Sequence, residues 1–436
     1  MARGGIETSN VIVDEAPLTG RCGTVRIAPD IVPAIRALNR APDERPLRLL
    51  YVSATDHVLG SYAAWERGEV DPKAPAVSYS TQLLDVADAL SAELAMLCPG
   101  EADTALEPHG EIAVARFEKG AGGSGLAGHY RGLRRITRHA RNQAARFQAD
   151  AVIFSMSPFW PSLGSFPCPV VVSFHNNPWR PDRERPGLRD GTKLALARGP
   201  LRSGRIATIA VSEVGARQVA VLSRGGQTPL VSVTQAKDGA ATPQTRGRRS
   251  GDLLFVGRIE RNKGVFDLLH AALLLKPDIP SLRLRFLGAG AALEELKEQV
   301  AKADAKDWIS VEGWREGSAV GEAMASAACL VCPTRSGFLE GLPRVIHEAH
   351  LAGCPVIASS VAPSRATKST LVFPADDREA LTGAIRRFLS DAALRSELEQ
   401  GALQGREIYK DRELAWGSRV AEALAQLGAE KRPEGL

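Results

Sequence analysis

Two stretches of this 436-residue chain hold side chains whose types and spacing could do chemistry. The first is Gly337–Ser359, GFLEGLPRVIHEAHLAGCPVIAS, in which Glu340 and Glu348 are separated by seven residues. Pro343 suits a first helical position, because its missing N–H is not needed there. Gly353 is placed to end the same helix. Glu340 then lies in the loop at a strand's carboxyl end, and Glu348 lies about a turn and a half into the helix. A carboxylate accepts two hydrogen bonds side by side, which matches vicinal hydroxyls of a ribose or a hexose. The amides around Gly341, Leu342, Pro343 and Arg344 belong to a helix start, which suits an anion. The second stretch is Leu253–Gly264, LLFVGRIERNKG. Here a buried strand meets Gly257, which allows close backbone approach, and Arg258 and Lys263 follow. Two fixed cations at the carboxyl end of a strand make a diphosphate site, Arg gripping two oxygens and Lys adding a point charge.

The elements that must position these groups alternate. Strands are expected at Leu47–Ser53, Leu94–Cys98, Val152–Ser155, Val170–Phe174 and Ile206–Val211, with helices at about 80–90 and 129–148. Residues 54–77, with Gly60, Gly68, Pro72 and Pro75, read as a long loop. Residues 238–251, DGAATPQTRGRRSG, read as a linker, after which the α/β rhythm restarts at Leu253 and runs through helices at 378–389 and 392–403 to a last helix near Arg412. The expected fold class is α/β. The expected parts are an N-terminal extension over 1–46, an N-terminal Rossmann-like domain over 47–240 joined by the C-terminal helix 412–436, and a C-terminal domain over 250–411. Ligands of doubly wound units bind outside the carboxyl ends of the strands, so two facing units put the site in the cleft between them.

Composition limits the alternatives. Charged residues are 24% and hydrophobic residues 44%, a globular balance. The net charge of +5 is too small to argue for nucleic acid, and none is expected as a partner. The charge is unevenly spread. Residues 101–250 hold 22 basic and 11 acidic side chains, while residues 1–100 and 251–436 are net acidic. Six cysteines, including Cys329 and Cys332, make neither a disulfide framework nor a zinc site. No leader segment is read at the amino end, since Arg3, Glu7, Asp14 and Glu15 interrupt it. Residues 151–174 are uncharged but contain four prolines, so they read as two buried strands and a loop. The expected location is cytoplasmic. Gly120, Gly122 and Gly125 follow Glu118–Lys119 rather than a strand's apolar end, and Gly288-Ala-Gly290 lacks a third glycine, so a dinucleotide cofactor is not expected.

Taken together and in this order, the two stretches resemble the large retaining GT-B glycosyltransferase family, family four. The match reads Gly257–Arg258…Lys263–Gly264, then Glu340–Gly341…Glu348–Ala349 and Pro355–Val356–Ile357–Ala358–Ser359. It extends less closely to SYSTQ (78–82), SFHNN (173–177) and AVSE (210–213). The resemblance implies a GT-B fold, two Rossmann-like doubly wound domains facing across a cleft. It implies Gly257, Arg258, Lys263, Glu340, Gly341, Leu342, Pro343 and Glu348 as donor-binding residues: Arg258 and Lys263 on the diphosphate, Glu348 on the ribose and Glu340 on the transferred sugar. His175 matches a histidine that contacts the donor sugar. Glu340, His175, Arg258 and Lys263 are the residues expected to carry catalysis. The donor would be a UDP-, GDP- or ADP-sugar and the acceptor a glycan or lipid-linked glycan, in bacterial polysaccharide or cell-envelope synthesis. No D-x-D occurs among the 21 aspartates, and neither metal nor cofactor is expected. Two departures stand out: the first β–α loop lacks paired glycines, and VAPSRATK (361–368) replaces the usual Gly-Gly-x-x-E. The alternative is a non-catalytic glycosyltransferase-like binding subunit. The basic helix at 129–148 is a candidate for resting on an anionic membrane surface, which would make the protein peripheral at the inner face of the cytoplasmic membrane.

Overall fold

A computed structural model describes residues 16–72, 74, 76–120, 125–181, 183–237, 251–338, 341–362 and 367–430. The first half contains α1 (Val32–Arg36), β1 (Arg48–Val52), α2 (Val58–Glu66), α3 (Tyr79–Ala89), β2 (Glu93–Gly100), β3 (Glu107–His109), β4 (Ile112–Glu118), α4 (Gly125–Phe147), β5 (Ala151–Phe154), β6 (Val170–Phe174), α5 (Leu188–Arg198), β7 (Ile206–Ala210), α6 (Glu213–Leu222) and β8 (Leu230–Val231). The second half contains β9 (Asp252–Val256), α7 (Val265–Leu275), β10 (Arg283–Leu287), α8 (Leu293–Lys302), β11 (Ile309–Gly313), α9 (Gly317–Ser326), β12 (Cys329–Cys332), α10 (Arg344–Leu351), β13 (Val356–Ser359), β14 (Thr370–Phe373), α11 (Arg378–Ser390), α12 (Ala392–Gly405) and α13 (Trp416–Ala429).

These elements make two sheets. The first has the order β3-β4-β2-β1-β5-β6-β7-β8, parallel except for β3. The second is wholly parallel, in the order β11-β10-β9-β12-β13-β14. Parallel sheets need cover on both faces, and the strand sequences show it. Leu49 and Tyr51 of β1 enter one apolar cluster while Leu50 and Val52 enter another on the opposite face. In β9, Leu253 and Phe255 face one cluster and Leu254 faces the other. Successive side chains on a strand point to opposite faces, so a run of apolar residues serves two cores at once.

The order of the second sheet reverses direction between β9 and β12, and the order of the first between β1 and β5. These are the switch points at whose carboxyl ends a crevice opens. Arg258 and Lys263 follow β9, and the segment with Gly341 and Pro343 follows β12, so both stretches singled out by chemistry flank one switch point.

The chain passes between the sheets twice, and the two passages are bonded to each other. Val233 N–H donates to the Leu414 carbonyl at 2.9 Å, and Ala236 N–H to the Tyr409 carbonyl at 2.7 Å. The returning chain delivers α13 to the first half, where it packs on α1, α3 and β7. Trp416 anchors it: its indole N–H donates to the Ser173 hydroxyl at 3.0 Å. The last helix thus begins at Trp416, not near Arg412, because the chain bends through 412–414 and Ala415 is bridged to Val233.

Two expected boundaries need correction. The segment read as a loop over 54–77 contains α2, whose Val58, Tyr62 and Trp65 are buried. The extension over 1–46 is, from residue 16, part of the first core, with Val25, Ile27, Ile35 and Leu38 buried. Asp85 of α3, fully buried, holds it there. Its carboxylate accepts from Cys22 N–H at 3.0 Å, Thr24 N–H at 2.6 Å, the Thr24 hydroxyl at 2.7 Å and the Trp65 indole N–H at 2.8 Å. Asp85→Ala leaves these four donors without their acceptor. The expected loss is about 3 kcal/mol or more in chemical denaturation, with the N-terminal segment becoming the first site of proteolysis.

Candidate functional site

The second sheet brings three loops together by close backbone contact. Gly257 has φ +151°, and its N–H donates to the Leu287 carbonyl at 3.0 Å. Gly288 has φ +141°, and a Cβ there would fall 1.8 Å from the Gly257 carbonyl oxygen. A Cβ on Gly290 would fall 2.4 Å from the Ile259 carbonyl oxygen. Gly288-Ala-Gly290 is therefore a packing device, letting the loop after β10 lie directly on the loop that holds Arg258. Gly264, at φ +73°, opens α7 with its Cα against the Pro333 carbonyl, where a Cβ would fall at 2.0 Å.

Arg258 and Lys263 emerge from this base. The Arg258 guanidinium meets Glu260 at 2.9 Å and stays half-exposed. It also lies 5.3 Å from the Phe338 ring centroid, and the Lys263 ammonium lies 4.0 Å from the same ring. Sequence reasoning quoted Phe338 within its stretch but assigned it nothing. A pairing of one ring with two cations has no fixed spacing to betray it.

Pro343 does not begin the helix. It caps it at φ −66° and ψ 111°, and α10 starts at Arg344. The proline fixes φ at a helical value but leaves ψ extended. Gly353, at φ +64°, follows the helix end as expected. Glu348 lies on α10, 3.6 Å from Arg344 one turn earlier. Burial pushes its carboxyl group up from the usual carboxylate range, and Arg344 pulls the other way. Glu340, with Leu339, lies outside the described residues. Leu342 is half-buried beside Gly341.

Gly341 carries the contact between the halves. A Cβ there would fall 2.0 Å from the His175 carbonyl oxygen and 2.8 Å from the Asn176 Cα. The loop after β12 therefore touches the loop after β6, backbone on backbone, and His175 is brought to the second half. The His175 ring lies 4.8 Å from Tyr79, which in turn lies 4.9 Å from Trp416. Its Nε2 is buried without a partner among the described residues. Burial lowers its pKa to about 4, so the ring is neutral near pH 7. The three looser motifs prove to be one assembly: Tyr79 packs its ring at a tilt on His175, Ser173 accepts from Trp416, and the Ser212 hydroxyl donates to Asn177 at 2.9 Å. The glycine-poor loop after β1 closes on itself instead, Thr55 N–H donating to the Ser53 hydroxyl at 3.1 Å.

Residues 243–404 match the family described as Glycosyl transferases group 1. No curated protein matches the chain at a significant level. Among solved structures, the chain is similar to sucrose-phosphate synthase from Thermosynechococcus elongatus, at 19% identity and TM-score 0.60 over 88% of this chain and 98% of that one. It is also similar to a UDP-forming α,α-trehalose-phosphate synthase from Burkholderia vietnamiensis, at 11% and 0.62 over 87% and 99%. A third is HepE from Anabaena, solved with UDP and glucose, at 15% and 0.54 over 87% and 99%. The fold is that of the GT-B glycosyltransferases: two α/β domains, each built on a sheet that is parallel throughout or nearly so.

On the opposite side of α10 from this chemistry, His347 and His350 are buried against Tyr409. His350 lies 3.2 Å from the Tyr409 hydroxyl and 2.7 Å from that of Ser369, whereas neither His347 nitrogen has a partner among the described residues. Burial lowers the two pKa values to about 4 and about 3. The unfolded chain takes up protons near pH 6.5 that the folded chain refuses. Stability is therefore full above that pH and falls, at up to about 1.4 kcal/mol per pH unit for each histidine, as pH drops toward 4. His347→Phe keeps a ring against Tyr409 and removes the two unpaired nitrogens. It should raise stability by about 2 kcal/mol or more at pH 5 and flatten the acid limb of a denaturation-against-pH curve. A variant as steep and as stable as the parent contradicts this account.

Proposed function

We propose that the protein is a retaining glycosyltransferase that moves a sugar from a nucleotide-diphosphate donor to a glycan or lipid-linked acceptor, in bacterial polysaccharide or cell-envelope glycan synthesis. The observation that carries this reading is the switch point of the second sheet. There the Arg258 and Lys263 loop and the helix bearing Glu348 converge, within a segment that matches Glycosyl transferases group 1. The GT-B-like HepE structure was solved with UDP and glucose, which supports a nucleotide-sugar donor.

In this reading Arg258 and Lys263 hold the diphosphate in place of a metal ion, and Glu348 accepts from the ribose hydroxyls. As the bond between the anomeric carbon and the phosphate oxygen breaks, negative charge grows on the departing nucleoside diphosphate. Cations already fixed in place stabilise it without reorganising. The acceptor hydroxyl forms the new bond on the same face and passes its proton to the departing phosphate. Glu340 is assigned to the hydroxyls of the transferred sugar. His175, kept neutral by burial, offers its open nitrogen to the same sugar.

The acceptor enters on the first half. The exposed arginines of α4, among them Arg131, Arg134 and Arg138, face an anionic membrane surface near a lipid-linked acceptor, and the protein works at the inner face of the cytoplasmic membrane. Among the described residues no helix is long and apolar enough to cross a membrane, so attachment would be peripheral.

The test is a donor screen with UDP-, GDP- and ADP-sugars, read by thermal shift and by hydrolysis. One base should bind and its sugar should be slowly hydrolysed. Lys263→Ala should lower kcat/KM about a hundredfold or more, because it removes a charge from the transition state. Failure of every nucleotide sugar to bind sinks the reading. For the membrane part, co-sedimentation should favour anionic over neutral vesicles, and changing Arg131, Arg134 and Arg138 together to Gln should abolish the preference.

A further inference from the structure

Arg258 and Lys263 must point at one diphosphate, yet two cations held close repel each other before any ligand arrives. Glu260 offsets part of the Arg258 charge. Phe338 adds a partner common to both cations. Its ring lies 4.0 Å from the Lys263 ammonium and 5.3 Å from the Arg258 guanidinium, and the face of an aromatic ring is the negative part of its quadrupole.

The ring is held by its own loop. Phe338 N–H donates to the Arg335 carbonyl at 3.1 Å, and Arg335 N–H donates to the Asn262 carbonyl at 2.9 Å, next to Lys263 itself. The Arg335 guanidinium reaches Asp376 at 3.2 Å and Asp267 at 3.6 Å. Ser336 gives both its N–H and its hydroxyl to Asp376. Asp267 belongs to α7, the helix that Gly264 opens directly after Lys263. The loop bearing the ring and the loop bearing the cations are thus one hydrogen-bonded unit.

We propose that Phe338 is a positioning residue of the donor site: one aromatic ring shared by Arg258 and Lys263 keeps both cations converged on the place of the donor's diphosphate. The proposal rests on the reading that these cations bind that diphosphate. It adds a residue that acts through them without touching the donor. Loss of the ring leaves Arg258 to its Glu260 pair and removes the partner it shares with Lys263, so the diphosphate must gather the two cations on binding.

The experiment compares the parent protein with Phe338→Leu and Phe338→Tyr. UDP, GDP and ADP are titrated by calorimetry, and the parent nucleoside of whichever binds is titrated by ligand-observed NMR. Leucine fills the space without a quadrupole, so the nucleoside diphosphate should bind about tenfold more weakly. The nucleoside should bind within twofold of its affinity for the parent protein. Tyrosine, which keeps the ring, should restore diphosphate affinity to within about threefold. Phe338→Met is a second non-aromatic variant should the leucine protein not fold. Equal weakening of nucleoside and nucleoside diphosphate would mean a merely structural role and overturns the proposal. Unchanged affinity in both non-aromatic variants, or failure of tyrosine to restore it, also overturns it. A parent protein that binds none of the three diphosphates overturns the donor reading itself, and this proposal with it.

Discussion

The pair of chain crossings between the two sheets is the constraint on which the rest of the molecule depends. Each sheet has its own core, and nothing in either core fixes the other. The outgoing crossing is bonded to the returning one through Val233 and Ala236, and Val233, Ala236 and Tyr409 form a small apolar cluster of their own. Tyr409 then rests on His347 and His350. Those histidines flank Glu348 on the same short helix, so the element that carries the candidate ribose ligand is also the one braced by the crossings. Gly341, just before that helix, touches the His175 loop so closely that no side chain would fit. Movement of one half against the other therefore acts on the candidate site at both ends of α10.

A second constraint is the shortage of room at the carboxyl ends of β9 and β10. Arg258 reaches the crevice from a loop that lies directly under another loop. Glycines at 257, 288 and 290 make the approach possible, two of them in conformations that L side chains rarely adopt. Tight backbone packing leaves the Arg258 loop few alternative positions. Preorganised charge of this kind stabilises a developing anion more than mobile charge does. The same economy recurs at Gly264, where the start of α7 is pressed onto the loop after β12, and where the Arg335, Asp267 and Asp376 network ties the two loops again.

Much of this was legible in the sequence where the signal is local. Buried parallel strands show as short apolar runs, and those runs fall within a residue or two of the observed strands. Arg258, Lys263 and Glu348 were legible because a strand end followed by cations, and a carboxylate in a helix's second turn, are patterns within one segment. What stayed hidden depends on distant partners. The amphipathic pattern of α2 is absent because Ser61 and Ala64 share the buried face with Val58, Tyr62 and Trp65, while the exposed face holds Gly60 and Ala63 beside Glu66. The core role of residues 16–38 depends on Asp85, more than forty positions away in sequence, accepting from Cys22 and Thr24. Phe338 looked like one more apolar residue in a glycine-rich loop, and only the fold sets it beneath two cations that follow another strand. Pro343 was displaced by one position because a proline ring dictates φ and not ψ.

The charge gradient is sharper in three dimensions than in sequence. Part of the excess in residues 101–250 is absorbed internally. Arg135 bridges Asp103 at 2.9 Å and Glu118 at 2.7 Å, which ties α4 to the β4 edge of the sheet, and Arg141 donates to the Ser165 hydroxyl at 3.1 Å. These two arginines are construction. Arg131, Arg134, Arg138 and Arg146 remain exposed on the same helix. Positions 131, 134 and 138 recur at three- and four-residue intervals, so they share one face of α4, away from the buried Thr137, Ala140 and Ala144. A helix needs no such row merely to stay on its sheet, since the apolar side already holds it there. On the proposed membrane reading the row supplies long-range attraction for an anionic surface, which salt would screen within about 8 Å at physiological ionic strength. In the second half the reverse holds: it carries no net positive excess, and in the proposed reading Arg258 and Lys263 act at contact distance. In that reading the two halves use charge in different ways, one as a diffuse field over a face and the other as fixed contacts in a crevice.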